Sequence, residues 1–212
     1  YERYQAAPPA PTPAPSMPPV PVMVQREPGM PQAVEPTVTP APTPTPTAGV
    51  ASPIPTAPAI LSEADQVAIY AAVVRQLYTV DHTFGDTPPN WPTLYLVGVT
   101  DDRAGDPQAP QDAAQALPAP LREGIAAAVA DLPAQIVWLE EPDEVPRGER
   151  DEVAGNGAMI TLGNIHLRED GVALVAGRVY FAPLGMGAQT YLLERIDNVW
   201  QITGTTGVQI VS

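Results

Sequence analysis

Acid–base chemistry near neutral pH falls first to histidine, and this chain has two, His82 and His166. His82 sits in Asp81-His82-Thr83, where the neighbouring carboxylate could orient it as a general base. A loop histidine beside an acid is more often simply solvated, and that is the expectation. His166 follows Asn164 near the end of a strand-like run, and alternation would place both on the face of Ile160 and Leu162, where a hydrogen-bonded structural histidine fits better. Nucleophiles are scarcer still. The sequence has no cysteine and no lysine, which removes thiolate, Schiff-base and P-loop chemistry. Gly-x-Ser-x-Gly is absent, and the only serines after residue 60 are Ser62 and Ser212, so no serine hydrolase arrangement is available. No catalytic residue is assigned, and the expectation is a protein that is not an enzyme.

Two acidic loops raise the question of a metal. One holds Asp101, Asp102 and Asp106; the other holds Glu140, Glu141, Asp143, Glu144, Glu149, Asp151 and Glu152. Calcium takes about six to eight oxygens, and the Asp-x-Asp-x-Asp-Gly spacing that makes them converge is missing from both loops. Arg103, Arg147 and Arg150 supply local counter-charge, so solvated loops are expected, with Asp101, Asp102 and Asp106 as weak candidate ligands and no cofactor. The glycine groups 155–157, 185–187 and 204–207 are placed between or after strands as turn residues, not as a phosphate cradle. Trp91, Trp138 and Trp200, with Tyr95, Tyr180 and Tyr191, could line a sugar-binding face; core packing explains them equally well.

These side chains need elements to carry them. Ser62 reads as an N-cap with Glu63 and Asp65 in the first turn, opening a helix to about Val80 whose apolar residues cover more than one stripe. Leu94 to Val99 reads as a buried strand. Leu121, Ile125, Val129 and Leu132 recur at helical spacing, and Ile136 to Leu139 is a second strand. Strands follow at 158–167, 172–182, 188–196 and 199–203, with a short closing strand at 208–211. Asp170-Gly171 and Asp197-Asn198 supply the hairpin turns. The expected fold is α+β, a curved antiparallel β-meander packed on two helices.

Ahead of this body, residues 1–60 form a different kind of sequence. Of the 29 prolines, 18 lie between Pro8 and Pro58. Proline fixes φ and lacks the amide donor, so an extended Pro/Thr-rich arm or stalk is expected, followed by one compact acidic domain at 61–212. Thr37, Thr39, Thr43, Thr45 and Thr47 are candidate O-glycosylation sites. Val20, Val22, Met23, Val24, Val34 and Val38 lie in short apolar stretches that could dock as edge strands on a partner. The net charge of −14 divides unevenly: three acids and two arginines give −1 for the arm, while 21 acids and eight arginines give −13 for the body. That field repels nucleic acid and anionic membrane surfaces. No run of 18 apolar residues exists, so no membrane insertion is expected, and Tyr1 is read as a processed start.

The closing run Tyr191-Leu-Leu-Glu-Arg-Ile-Asp-Asn-Val-Trp200-Gln-Ile, taken with the helix-then-strands order, resembles the final hairpin of nuclear-transport-factor-2-like domains over roughly the last forty residues. It is also similar to bacterial surface modules joined to proline/threonine linkers. That resemblance implies either a pocket enzyme or a non-catalytic binder. The expectation drawn from the whole chain is a structural or interaction subunit of an extracytoplasmic, cell-surface assembly such as a filament, whose arm packs on neighbouring copies or on other subunits. The alternatives are a small-molecule pocket displayed on a passive stalk, and an accessory subunit of a membrane-bound complex held by its arm.

Overall fold

The computed structural model describes residues 61–83 and 89–212, all within the compact unit Ser52–Ser212. The arm readings, for docking at Val20, Val22, Met23, Val24, Val34 and Val38 and for glycosylation at Thr37, Thr39, Thr43, Thr45 and Thr47, lie outside the described residues. Among the described residues the body has two α-helices and a mixed sheet of seven strands, an α+β fold.

Helix α1 (Glu63–Thr79) begins where its cap requires: the Ser62 hydroxyl accepts from Asp65 N at 3.1 Å and donates to Asp65 Oδ2 at 2.7 Å. Asp65 also reaches across the fold, its Oδ1 accepting from Trp200 Nε1 at 2.9 Å and Arg195 Nη2 at 2.8 Å. One carboxylate thus ties the helix start to the last hairpin. Ile69, Tyr70, Val73, Val74, Leu77 and Tyr78 are buried along α1, more than a single stripe, because the helix packs on the sheet and on α2 (Ala119–Ala128) at once. Arg75 holds the second contact by donating to Ala128 O and pairing with Asp131.

The strands are β1 (Thr93–Val97), β2 (Gln135–Leu139), β3 (Ala158–Leu162), β4 (His166–Leu167), β5 (Ala173–Ala182), β6 (Gly185–Ile196) and β7 (Val199–Val211). Their order is β2-β1-β3-β5-β6-β7, with β4 also on β5. From β3 through β7 the pairs are antiparallel, as the meander reading requires. At β2-β1-β3 they are parallel, which corrects the expectation of a wholly antiparallel sheet. The cause is the crossover: the segment 98–134 carries α2 over the sheet and returns β2 in the same direction as β1.

Parallel strands are buried on both faces, and here both are covered. Leu94, Leu96, Ile160, Val175, Val179, Tyr191 and Leu193 face the helices in the main core. On the opposite face Val97, Leu139 and Met159 pack beneath Val145 and Val153 of the loop 140–157, joined by Tyr95 and Tyr180. The run expected as one strand at 158–167 is broken at Gly163–Ile165. The two runs expected at 199–203 and 208–211 are one strand with two irregularities. The Asp197-Asn198 turn is as expected, with φ of 50° and 67°. The glycines at 185–187 are strand residues instead of a turn; a Cβ on Gly187 would lie 2.5 Å from the Asp81 carbonyl.

The Asp65 junction yields a direct test. Removing its carboxylate orphans the indole N–H of Trp200 and loses the first-turn acid, so Asp65→Ala should cost about 1–2 kcal/mol in urea unfolding. An unchanged midpoint would show that the junction contributes nothing.

Candidate functional site

Two polar clusters are built into the body, and each draws on a residue singled out in the sequence. The first stands on the second face of the sheet, where the turn Asp102–Ala104 packs against β3 and β5. Asp102 is buried, at 6% exposure, and its two oxygens accept four contacts. Oδ1 takes Asn164 N at 2.7 Å and lies 3.2 Å from His166 Nε2; Oδ2 takes Asn164 Nδ2 at 2.9 Å and Asp112 N at 3.1 Å. Thr100 extends the network, donating to Asn164 Oδ1 at 2.8 Å and accepting from Gln115 N at 2.9 Å. Burial works to raise the Asp102 pKa, but the donors from Asn164, His166 and Asp112 together hold it below the usual carboxylate range.

This corrects one expectation about the neighbourhood. His166 is not on the core face with Ile160 and Leu162: its side chain is 46% exposed, and Ile165 and Leu167 pack against the core instead. The break at Gly163–Ile165 shifts the alternation by one residue, which period-two reasoning across an unbroken strand could not follow. His166 is nevertheless hydrogen-bonded, as expected, with Asp102 on one side and Asp112 Oδ2 at 3.7 Å on the other.

The metal candidates separate. Asp101 caps the turn, accepting from Arg103 N at 2.9 Å, and Asp106 accepts from Gln108 N at 2.9 Å. Asp102 instead meets Asp112 and His166, with potential ligand atoms within 4.8 Å of one another. The donor set does not fit a resident cation well, because the roughly four lone-pair positions of the Asp102 carboxylate are already engaged by N–H groups. A metal would have to displace His166. The cluster works as a clamp that seats the loop 98–117 on the sheet, and Asp112, absent from the sequence candidates, carried no local signal.

The second cluster closes the far end of α1. Asp81 Oδ2 accepts from Gln189 Nε2 at 2.6 Å and from the Tyr191 hydroxyl at 2.9 Å. Burial first, and the Asp81 charge after it, push the Tyr191 phenol above its ordinary range, so it remains a donor. His82 is buried, at 1% exposure, in place of the expected solvated loop position. The chain turns inward here, with Asp81 N bonded to Gln76 O at 3.0 Å. A cavity of about 150 Å³ adjoins, lined by Val80, Asp81, Thr83, Gly187–Gln189 and Gln209–Val211. It is smaller than the roughly 300–1,000 Å³ typical of ligand pockets.

The six aromatic residues considered as a sugar face are divided between layers. Trp91, Tyr191 and Trp200 lie in the helix-side core, whereas Tyr95 and Tyr180 belong to the opposite cluster. Trp138 stacks near Arg122, 5.7 Å from ring to guanidinium carbon. Among the described residues no helix is long and apolar enough to cross a membrane. No family model, curated protein or solved structure matches the chain.

The Asp102 clamp has a signed pH dependence. Its folded pKa is depressed, so the stabilisation is present above the unfolded value near ~3.9 and is lost as pH falls through the lower folded value. Asp102→Asn should lower stability at pH 7 by about 2 kcal/mol, since an amide cannot accept four donors, and should flatten the acid limb of a urea-unfolding series against pH. An unaltered acid limb would remove Asp102 from the account. Chelator should leave the melting temperature of the native protein unchanged; a fall would restore the metal reading.

Proposed function

We propose that this chain is a non-catalytic structural and interaction subunit of an extracytoplasmic, cell-surface assembly, filamentous in its simplest form, whose N-terminal arm packs on neighbouring subunits. The observation that carries this reading is the partition of the sequence into a proline-rich arm of net charge −1 and an acidic body of net charge −13. Bodies of like charge repel, while a nearly neutral arm bears short apolar stretches that suit edge docking.

The architecture of the body is compatible with such a role. Around β1 and β3 both faces of the sheet are covered by the protein's own helices and loops, whereas β7 is exposed along most of its length and ends the sheet, so β7 is the part of the sheet open to partners. The alternative, a small-molecule pocket on a passive stalk, would need more room than the Asp81 cavity offers. Neither histidine lines that cavity.

Deleting residues 1–58 is the test. The shortened chain should keep its far-ultraviolet dichroism and a cooperative melt, yet sediment as a monomer where the full chain forms higher species. Unchanged assembly after the deletion would overturn the proposal, as would a full chain that stays monomeric at every concentration.

A further inference from the structure

Strand β7 ends the sheet, and from Val199 to Ser212 it contains no charged residue and no proline. Edge strands are ordinarily blunted by such residues, because an open row of amides and carbonyls templates further pairing. Val199, Val208 and Val211 are 58%, 54% and 62% exposed, and among the described residues no second strand lies on this side. Two irregularities interrupt β7, one at Thr203 and one around Gly207, whose φ is 77°. Beyond them the strand resumes regular pairing at Ile210 and Val211.

The backbone parity of this last stretch is fixed. Met186 and Ser212 exchange both backbone bonds, at 3.3 and 3.0 Å. In an antiparallel ladder such pairs alternate with pairs whose polar groups point outward, so the amide and carbonyl of Val211, opposite Gly187, face away from β6. The cavity of about 150 Å³ lies against this same stretch, with Val211 and Gly187 in its wall. Its wall combines Val80, Ile210 and Val211 with the polar Asp81, Thr83 and Gln189, and its volume has room for one small side chain.

We infer that the free edge at the end of β7 receives residues Val20–Val24 of a second copy as an added antiparallel strand, with a valine side chain of that segment in the adjoining cavity. Three observations select this occupant. The segment reads Pro19-Val20-Pro21-Val22-Met23-Val24, so its prolines share one parity and Val20, Val22 and Val24 share the other. A strand can therefore turn valine amides to β7 and leave the donorless positions outward, the only arrangement an edge proline tolerates. Directly opposed residues put their side chains on one face, so the valine paired with Val211 stands on the face that holds the cavity. Charge excludes a second body, at −13, far more strongly than the arm, at −1. Reach is ample: the residues between Val24 and Leu61 can span up to roughly 115 Å at polyproline pitch.

The inference rests on the proposed role of the arm and specifies where it binds. Proline scanning of the full chain, read by sedimentation velocity, tests the parity. Val22→Pro removes a docking amide and should weaken association by about tenfold or more, whereas Met23→Pro falls on the outward parity and should leave it within about twofold. Val211→Pro should match Val22→Pro, with Val208→Lys as the second edge variant should the proline variant not fold. Because the chain lacks cysteine, Val22→Cys and Val211→Cys report contact without background. Mixed single variants should form a disulfide-linked dimer. Loss of assembly on deleting residues 1–58, with full assembly in both edge variants, would overturn the β7 site and leave the arm's role standing. Equal effects of Val22→Pro and Met23→Pro would overturn the strand geometry. A disulfide formed only within the doubly substituted chain would place the arm on its own body and overturn the second copy.

Discussion

Taking the Asp102 carboxylate out of water is unfavourable unless donors replace the lost solvent, and the donors come from segments that must meet for the sheet to be covered on its second face. Asn164 stands in the break between β3 and β4, His166 on β4, and Asp112 in the same loop as Asp102. Each alone is a weak constraint. Together they hold the loop 98–117 where Ala104 is buried and where a Cβ on Gly105 would meet the Gln189 carbonyl at 2.6 Å. Without that seat β3 and β5, against which the turn packs, would lose part of their cover on the second face, while the loop 140–157 covers the parallel strands separately.

The same division of labour explains why the two ends of the sheet differ. At β2 the edge is five residues long and flanked by the Arg122–Glu140 pair, with Arg122 also donating to Leu117 O at 2.7 Å. At β7 the edge is 13 residues long and carries no charge. Asp65 and Asp81 fix the flanks of this region by gripping Trp200 at one end and Gln189 with Tyr191 at the other. Side-chain bonds thus tie β7 to the start of α1 and its neighbour β6 to the exit of α1, while β7 itself discourages pairing only by its two irregularities and not by charge or proline.

Much of this was legible in the residues. The cap at Ser62, the apolar breadth of α1, the turn at Asp197-Asn198 and the strand runs of the meander are local signals, and local signals survive into the fold. What the sequence hid is non-local. The parallel pairing of β1 depends on where the crossover returns, and the reversal of His166 depends on a break at Gly163 that looks like ordinary strand until Asn164 is seen donating to Asp102. The clamp is illegible for the same reason: Asp102, Asp112, Asn164 and His166 span some sixty residues without a motif. His82 was misplaced because a polar residue next to Asp81 suggests solvent, whereas Asp81 is itself turned inward by Gln189 and Tyr191.

An unguarded edge of this length would be hazardous in a neutral protein, and the body's charge supplies the guard instead. Residues 61–212 carry −13, so two bodies approaching edge to edge meet repulsion before any backbone group can pair. Repulsion between whole bodies acts over a Debye length, roughly 8 Å at physiological ionic strength, whereas strand pairing acts at roughly 4.8 Å. A segment with the arm's net charge of −1 would meet little of that repulsion. Under the proposed docking, charge on the body and proline in the arm are two halves of one selection rule: the first disfavours the body's own edge as a partner, and the second blunts the edge a docked arm would offer, because Pro19 and Pro21 on its outward parity lack an amide and Met23 alone of that parity retains one.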